Sequence, residues 1–107
     1  MKPKSHFPFL DMAYQGLCPS LEEDALGLRH FTEQGFELLA CQSFSKNFGL
    51  YGERCGVLHI LTKEEAVAAN VYDQLKCLIR WKLSSSAAHG SRLVDTVRQC
   101  SHVSTAG

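Results

Sequence analysis

Two kinds of apolar pattern alternate along the chain. Short, nearly unbroken apolar runs at Phe7–Leu10, Phe36–Cys41 and Gly56–Leu61 read as strands. Around them, apolar residues recur every three or four positions: Leu21, Ala25, Leu28 and Phe31, then Val67, Val71, Leu75 and Leu78, then Leu93, Val97 and Cys100. That spacing predicts three helices, each with one apolar face.

The first strand is expected to close at Asp11. A turn-rich segment, Gln15 to Ser20, follows, and Ser20 with Glu23 forms a capping box that opens a helix ending near Gly35. The run from Phe36 to Cys41 lacks alternation, as in a strand covered on both faces of a parallel sheet. The chain up to Gln42 therefore spells one βαβ unit. The loop from Ser43 to Cys55 is barely long enough for a parallel crossover, so the third strand is expected antiparallel to its neighbour. Thr62 with Glu65 forms a second capping box, opening a helix to about Trp81. A serine-rich loop, Ser84 to Gly90, precedes a last helix from Ser91 to about Cys100, and Ser104 to Gly107 should fray. The fold class is α/β, a mixed, mostly parallel sheet with covering helices. Three strands have too few helices to cover them, so an apolar edge should stay open and the chain reads as part of something larger.

Composition narrows the function. With 107 residues, 45% hydrophobic and 21% charged, the chain is at most one globular domain. Eleven basic and eleven acidic side chains cancel without a like-charge block, so neither nucleic acid nor a membrane is the expected partner. The basic start, Met1 to His6, resembles a leader, but the apolar stretch after it is broken by Pro8 and stops at Asp11, so secretion is not expected. The five cysteines are an odd number without Cys-x-x-Cys or zinc spacing, and the histidines are scattered singly. Free thiols in a reducing, cytoplasmic compartment and no metal are the expectation.

The stretch Ser43 to Gly56, "SFSKNFGLYGERCG", carries the candidate chemistry. It follows the carboxyl end of a strand, where α/β sheets bind ligands. Partial burial there would lower the pKa of Lys46 and make its amine nucleophilic. Serine hydroxyls beside it and Arg54 eight residues on suit a phosphate. A Schiff-base lysine next to a phosphate site is what pyridoxal phosphate requires, together with an acid for its pyridine nitrogen. Asp11 ends the adjoining strand, and Tyr14 stands three residues beyond it. The residues alone also permit the plainer reading, in which Lys46 and Arg54 are solvated loop cations and Asp11 is a turn residue.

"SFSKNFGLYGERCG" resembles the lysine signature of class I pyridoxal phosphate-dependent aminotransferases, and "FPFLDMAYQG" resembles their aspartate–tyrosine segment. Within that class the chain is most similar to aspartate aminotransferases of the animal cytosolic type. The likeness covers about residues 6–94, with 95–107 a divergent tail. It implies part of the large, cofactor-binding domain of a fold-type I enzyme. By the same resemblance, Lys46 holds the cofactor as a Schiff base and shuttles the substrate proton. Asp11 pairs with the pyridinium nitrogen and Tyr14 with the ring oxygen. Ser43 and Arg54 bind the phosphate, with Ser45 close by. Arg80, in "LIRWKLSSSAAHG", resembles an arginine that reaches across a homodimer interface to the distal carboxylate of a dicarboxylic substrate. Arg80 is equally readable as a cation at a helix C-terminus, favoured by the dipole.

The implied activity is transamination of aspartate and glutamate with 2-oxo acids, in amino acid metabolism. Departures from the family pattern are specific. Ser84-Ser85-Ser86-Ala87 stands where the family has Ser-Asn-Pro-Pro, and losing two prolines loosens the segment after Arg80. Gly52 replaces a usual asparagine, and the loop near Cys18-Pro19 is one residue short. The family's first phosphate loop, its ring-stacking aromatic, its α-carboxylate arginine and its small domain have no counterpart here. The isolated chain is therefore expected to be inactive. The alternative is a non-catalytic paralogue fragment that binds cofactor or a partner.

Overall fold

The computed structural model describes the backbone of residues 2–104 and the side chains of residues 3–100. After a 3-10 turn at Lys2–Lys4, the order is β1 (Phe9–Met12), α1 (Leu21–Asp24), α2 (Leu26–Glu33), β2 (Leu38–Ser43), β3 (Gly56–Leu61), α3 (Glu65–Leu83) and α4 (His89–Ser104). Of the end expected to fray, residues 105–107 lie outside the described residues.

β1 starts two residues later than the apolar run suggests, and Pro8 is the reason. Its carbonyl accepts from the Leu39 amide at 3.1 Å, but proline has no N–H to return, so the ladder begins at Phe9. Asp11 consequently lies inside the strand, opposite Cys41, rather than closing it.

Ser20 caps the first helix as expected, its hydroxyl accepting from the Glu23 amide at 3.1 Å. Such a cap contributes about 1 kcal/mol. The single expected helix is instead interrupted at Ala25. The interruption sits where Asp24 is drawn at both ends. Its carboxylate accepts from the Gly16 amide, and its carbonyl accepts from Gln15 Nε2 at 3.1 Å. α2 ends where expected, in a Schellman motif. The Phe36 amide reaches the Phe31 carbonyl and the Gly35 amide reaches Thr32, with Gly35 at φ +70°. The Phe31 and Phe36 rings meet edge to face at 5.4 Å, sealing that corner. Phe36 is thereby spent on the helix end, and β2 begins at Leu38 rather than at Phe36.

The sheet order is β1-β2-β3. β1 runs parallel to β2, and β3 returns antiparallel, as the short loop requires. Among the described residues the buried apolar ones are few: Leu38 at 1% exposure, Ala40 at 0%, Val94 and Pro8. All but Val94 and Pro8 belong to the central strand β2, which alone is flanked on both sides.

α3 does not open with the Thr62–Glu65 box. The Thr62 hydroxyl donates to the Glu64 carbonyl at 3.0 Å, and Glu64 takes the cap position without a side-chain bond. Nor is the expected stripe buried. Val67 and Leu78 are exposed, while Val71 and Leu75 are half-buried. The two half-buried residues line a 610 Å³ groove with Leu58, Ile60 and Ile79. α4 begins at His89, ahead of the expected Ser91, and buries Val94 rather than Leu93 or Val97. Its start is pinned by close packing: a Cβ on Gly90 would lie 2.9 Å from Cys55 Cβ, so only glycine fits. The radius of gyration is 16.1 Å, against about 13 Å for a compact chain of this size. Phe9 on the edge strand β1 and Val57 and Leu58 on the edge strand β3 stay exposed, the open apolar edge expected from the strand count.

Candidate functional site

The parallel pairing of β1 and β2 sends both strands out at the same end of the sheet. Because β3 is antiparallel, its start lies there too, with Gly56 paired to Ser43. Four segments therefore meet at one sheet end: the β1 exit with Asp11 and Tyr14, the β2 exit with Ser43, Ser45 and Lys46, the β3 entry with Arg54, and the α4 start. The β2–β3 pairing extends one step outward through the Phe44 amide and Cys55 carbonyl, 3.0 Å apart.

Beyond that bond the loop turns tightly. Ser45–Asn47 form a turn, the Gly49 amide next donates to the Lys46 carbonyl at 3.3 Å, and the Phe44 and Phe48 rings pack edge to face at 5.3 Å. The Ser43 hydroxyl accepts from the Ser45 amide at 3.1 Å and keeps its own O–H free to donate. Ser45 is buried, at 6% exposure. Lys46 is half-buried, and its Nζ lies 4.9 Å from the centroid of the Tyr14 ring. This cation–π contact joins the two strand exits.

A second tie is a hydrogen bond. Asn47 Nδ2 donates to the Gln15 carbonyl at 2.9 Å, across 32 residues of sequence. Gln15, Asn47 and Asp24 were not singled out by sequence reasoning. Asp24 read as helix interior one residue past the capping box, and no spacing rule pairs Asn47 with Gln15.

The remaining candidates differ in readiness. Asp11 is exposed and lines a 260 Å³ cleft with Tyr14, Gln15 and Asp24. Tyr14 is 64% exposed. Arg54 sits at φ +50°, unusual for a side-chain-bearing residue, and Nη1 of its guanidinium donates to the Tyr51 carbonyl at 3.1 Å. It makes no hydrogen bond to Ser43 or Ser45, and four of its five N–H groups remain for another acceptor. Arg80 is not brought to this cluster by any hydrogen bond. Its Nη1 donates to Ser84 Oγ at 2.9 Å, and the altered turn after it is closed by Ser84, at φ +64°, bonding the Arg80 carbonyl.

Electrostatics single out Asp24. The Cys18 thiol, followed by the Gly16 amide, holds its carboxyl below the ordinary 3.8, and the carboxylate in turn pushes the thiol above its ordinary 9.0. A carboxylate with a lowered pKa stabilises the fold above its unfolded value and loses that contribution as the pH falls through the folded one. A thiol with a raised pKa contributes below its unfolded value and loses its contribution as pH rises through the folded one. The Gly16–Asp24 loop is therefore tightest between these limits. Titrating the Gly16 amide resonance should show it moving toward a solvent-exposed position below pH 3.8, earlier in Cys18→Ala than in the parent chain.

Among the described residues, no three His, Cys, Asp or Glu side chains stand together as metal ligands, and no helix is long and apolar enough to cross a membrane.

Comparison with known proteins gives this arrangement its context. The family description "Aminotransferase class I and II" matches residues 1–99. The chain is 56% identical over 97 residues to the aminotransferase tasG of Hapsidospora irregularis, covering 91% of this chain and 30% of that protein. It is 50% identical over 98 residues to the cytoplasmic aspartate aminotransferase of Dictyostelium discoideum, covering 91% and 22%. Relatives named as mitochondrial or chloroplastic match the same stretch. Among solved structures, the aromatic-amino-acid aminotransferase of Burkholderia pseudomallei, covalently bound to pyridoxal phosphate, superposes with a TM-score of 0.85 at 44% identity, over 90% of this chain and 24% of that one. The chain thus spans between a fifth and a third of the length of these proteins. Its three-stranded mixed sheet, with the lysine loop at the shared strand end, is an α/β unit shared with fold-type I aminotransferases. The chain belongs to the class I and II aminotransferases, a family that works with pyridoxal phosphate.

Proposed function

We propose that this chain provides the lysine-bearing part of a pyridoxal phosphate site in an enzyme that transaminates aspartate and glutamate with 2-oxo acids. The observation that carries the reading is the half-buried Lys46 amine held against Tyr14 at the strand end where Ser43 and Arg54 also emerge. The donor set fits the cofactor: a primary amine, a carboxylate on the adjoining strand, a free hydroxyl hydrogen and an arginine with unused N–H groups. When bound, the cofactor supplies an aldehyde and an electron-withdrawing ring that allow an amino group to leave one acid and be passed to another.

Each residue then has a definite task. Lys46 Nζ would hold the cofactor through its aldehyde carbon and, once displaced by the substrate amine, would move a proton on and off the substrate. The Asp11 carboxylate would hold a proton on the ring nitrogen, and the Tyr14 hydroxyl would donate to the ring oxygen. The Ser43 hydroxyl and the Arg54 guanidinium would hold the phosphate, with Ser45 close by. Arg80 receives the distal carboxylate of the substrate in a neighbouring subunit, the homodimer being part of the proposal. We assign the chain to one partial large domain, with the family pattern over 6–94 and departing over 95–107. Cytoplasmic residence rests on the cytoplasmic relatives and on five free cysteines.

A second reading, a fragment without turnover, is favoured by Arg80, which is occupied by Ser84 beside a turn that lacks the family's prolines. One experiment tests the cofactor site on which the first reading depends. The full chain is mixed with pyridoxal phosphate, reduced with borohydride and digested, and the labelled peptides are mapped by mass. Label concentrated on Lys46 supports the cofactor site. Label spread evenly over Lys63, Lys76 and Lys82 would sink it and leave the second reading.

A further inference from the structure

Lys46 stands in a loop, and a reactive amine in a loop needs something to fix where it points. The cation–π contact with Tyr14 does not suffice, because Tyr14 is itself exposed and lies on a loop. The bonds that do constrain both residues converge on Asp24. Its carboxylate accepts from the Gly16 amide, which closes the loop directly after Tyr14 and Gln15. Its carbonyl takes Gln15 Nε2 at 3.1 Å. Gln15, held from that side, presents its own carbonyl to Asn47 Nδ2 at 2.9 Å, and Asn47 is the residue after Lys46.

The orientation of the Asn47 amide is not arbitrary. The Gln15 carbonyl can only accept, so the nitrogen must face it, and Asn47 Oδ1 is left buried without a partner. A buried acceptor without a partner is costly, and turning the amide over would lose the bond to Gln15 as well. We propose that Asp24 is a positioning residue for Lys46, acting through Gln15 and Asn47 to hold the β2 exit loop against the β1 exit loop and the lysine amine against Tyr14. The proposal rests on the cofactor reading of Lys46 given above. Glu22 and Glu23, beside Asp24 in the same helical turn, are exposed, and neither carboxylate is bonded to the β1 exit loop.

The test uses the ¹⁵N-labelled full chain and two variants, Asp24→Ala and Gln15→Met, the second keeping side-chain length but removing the Nε2 donor. The first readout is the Asn47 side-chain amide resonance. The second is the ratio of Lys46 to Lys63 labelling by pyridoxal phosphate and borohydride. Slow exchange of the β2–β3 backbone amides monitors the fold. In Asp24→Ala the Asn47 amide should move to a solvent-exposed position, and the labelling ratio should fall about fivefold, roughly the loss of one net hydrogen bond. Gln15→Met should do the same, since it removes the bond to the Asp24 carbonyl that Asp24→Ala leaves in place, and neither variant should add to Asn47→Ala, because both act through the one Gln15–Asn47 contact.

An unmoved Asn47 amide with the ladder intact, or full additivity with Asn47→Ala, overturns the proposal. Should Asp24→Ala lose the ladder, Gln15→Met decides by the same criteria. Should Lys46 not be selectively labelled in the parent chain, the cofactor reading falls. The Asn47 amide alone then supports or overturns the link from Asp24.

Discussion

Replacing Lys46 by arginine is expected to leave the chain folded and to remove the borohydride-stable pyridoxyl label from its site completely. Arginine keeps the positive charge and stacks on an aromatic face at least as well as lysine, so the contact with Tyr14 survives. What arginine lacks is a primary amine that can deprotonate and bond to an aldehyde carbon, since its guanidinium stays charged. Label at the other lysines should be unchanged, which distinguishes loss of the reactive group from loss of the fold.

Arg54→Ala tests the other half of the same site. If Arg54 provides charge-assisted hydrogen bonds to the phosphate, its removal weakens cofactor retention about ten- to a hundredfold, the effect of about 1.5–3 kcal/mol. Retention is read as the pyridoxal phosphate concentration needed for half-maximal Lys46 labelling. Free pyridoxal, which has no phosphate, should label the parent chain and Arg54→Ala alike. A drop for both compounds would mean that Arg54, at φ +50° with its bond to the Tyr51 carbonyl, supports the loop rather than the phosphate.

The largest expected effect on stability is at Leu38. It is 1% exposed at the head of the central strand, between β1 and β3. Leu38→Ala removes buried methyl groups and leaves a cavity, at a cost of about 2–5 kcal/mol. A domain of this size has a total of about 5–15 kcal/mol, and few other buried residues share the load. Urea unfolding followed by far-UV circular dichroism should show the midpoint falling steeply with little change in slope. Trp81→Ala removes a larger side chain, yet Trp81 is 76% exposed, and its replacement should cost no more than about 0.5 kcal/mol. Equal losses for the two variants would contradict the burial on which the assignment of the core rests.

The behaviour of these variants follows from features that differ in how openly the sequence displays them. Ser20 with Glu23, Gly35 with the two phenylalanines, and the unbroken apolar run of β2 are local patterns, each fixed by residues within six positions of one another. Their physics is that of caps, turns and periodicity, and it is readable without tertiary information. The antiparallel β3 was legible for a similar reason, since a short loop cannot carry a parallel crossover. The lysine stretch was legible as a motif, with its serines, lysine and arginine in a fixed order after a strand.

Elsewhere the local pattern misled. Thr62 and Glu65 have capping-box spacing, but the Thr62 hydroxyl is used as a donor to Glu64, and the helix starts later. The apolar stripe of α3 has helical periodicity, but periodicity says which residues share a face and not whether anything covers it. Val67 and Leu78 stay exposed, at 40% and 44%.

By itself, then, the sequence determined the strand–helix–strand unit, the antiparallel return and the candidate lysine, because short-range spacing and chain length carry that information. The tertiary structure alone decided that Asp11 lies within β1, that Arg54 turns to the Tyr51 carbonyl, and that Arg80 is bonded to Ser84. It also decided that Asp24, Gln15 and Asn47 stand behind Lys46. A hydrogen bond spanning 32 residues exists only once two strands are paired in register and their exit loops emerge at one end of the sheet. No spacing within either loop encodes that meeting.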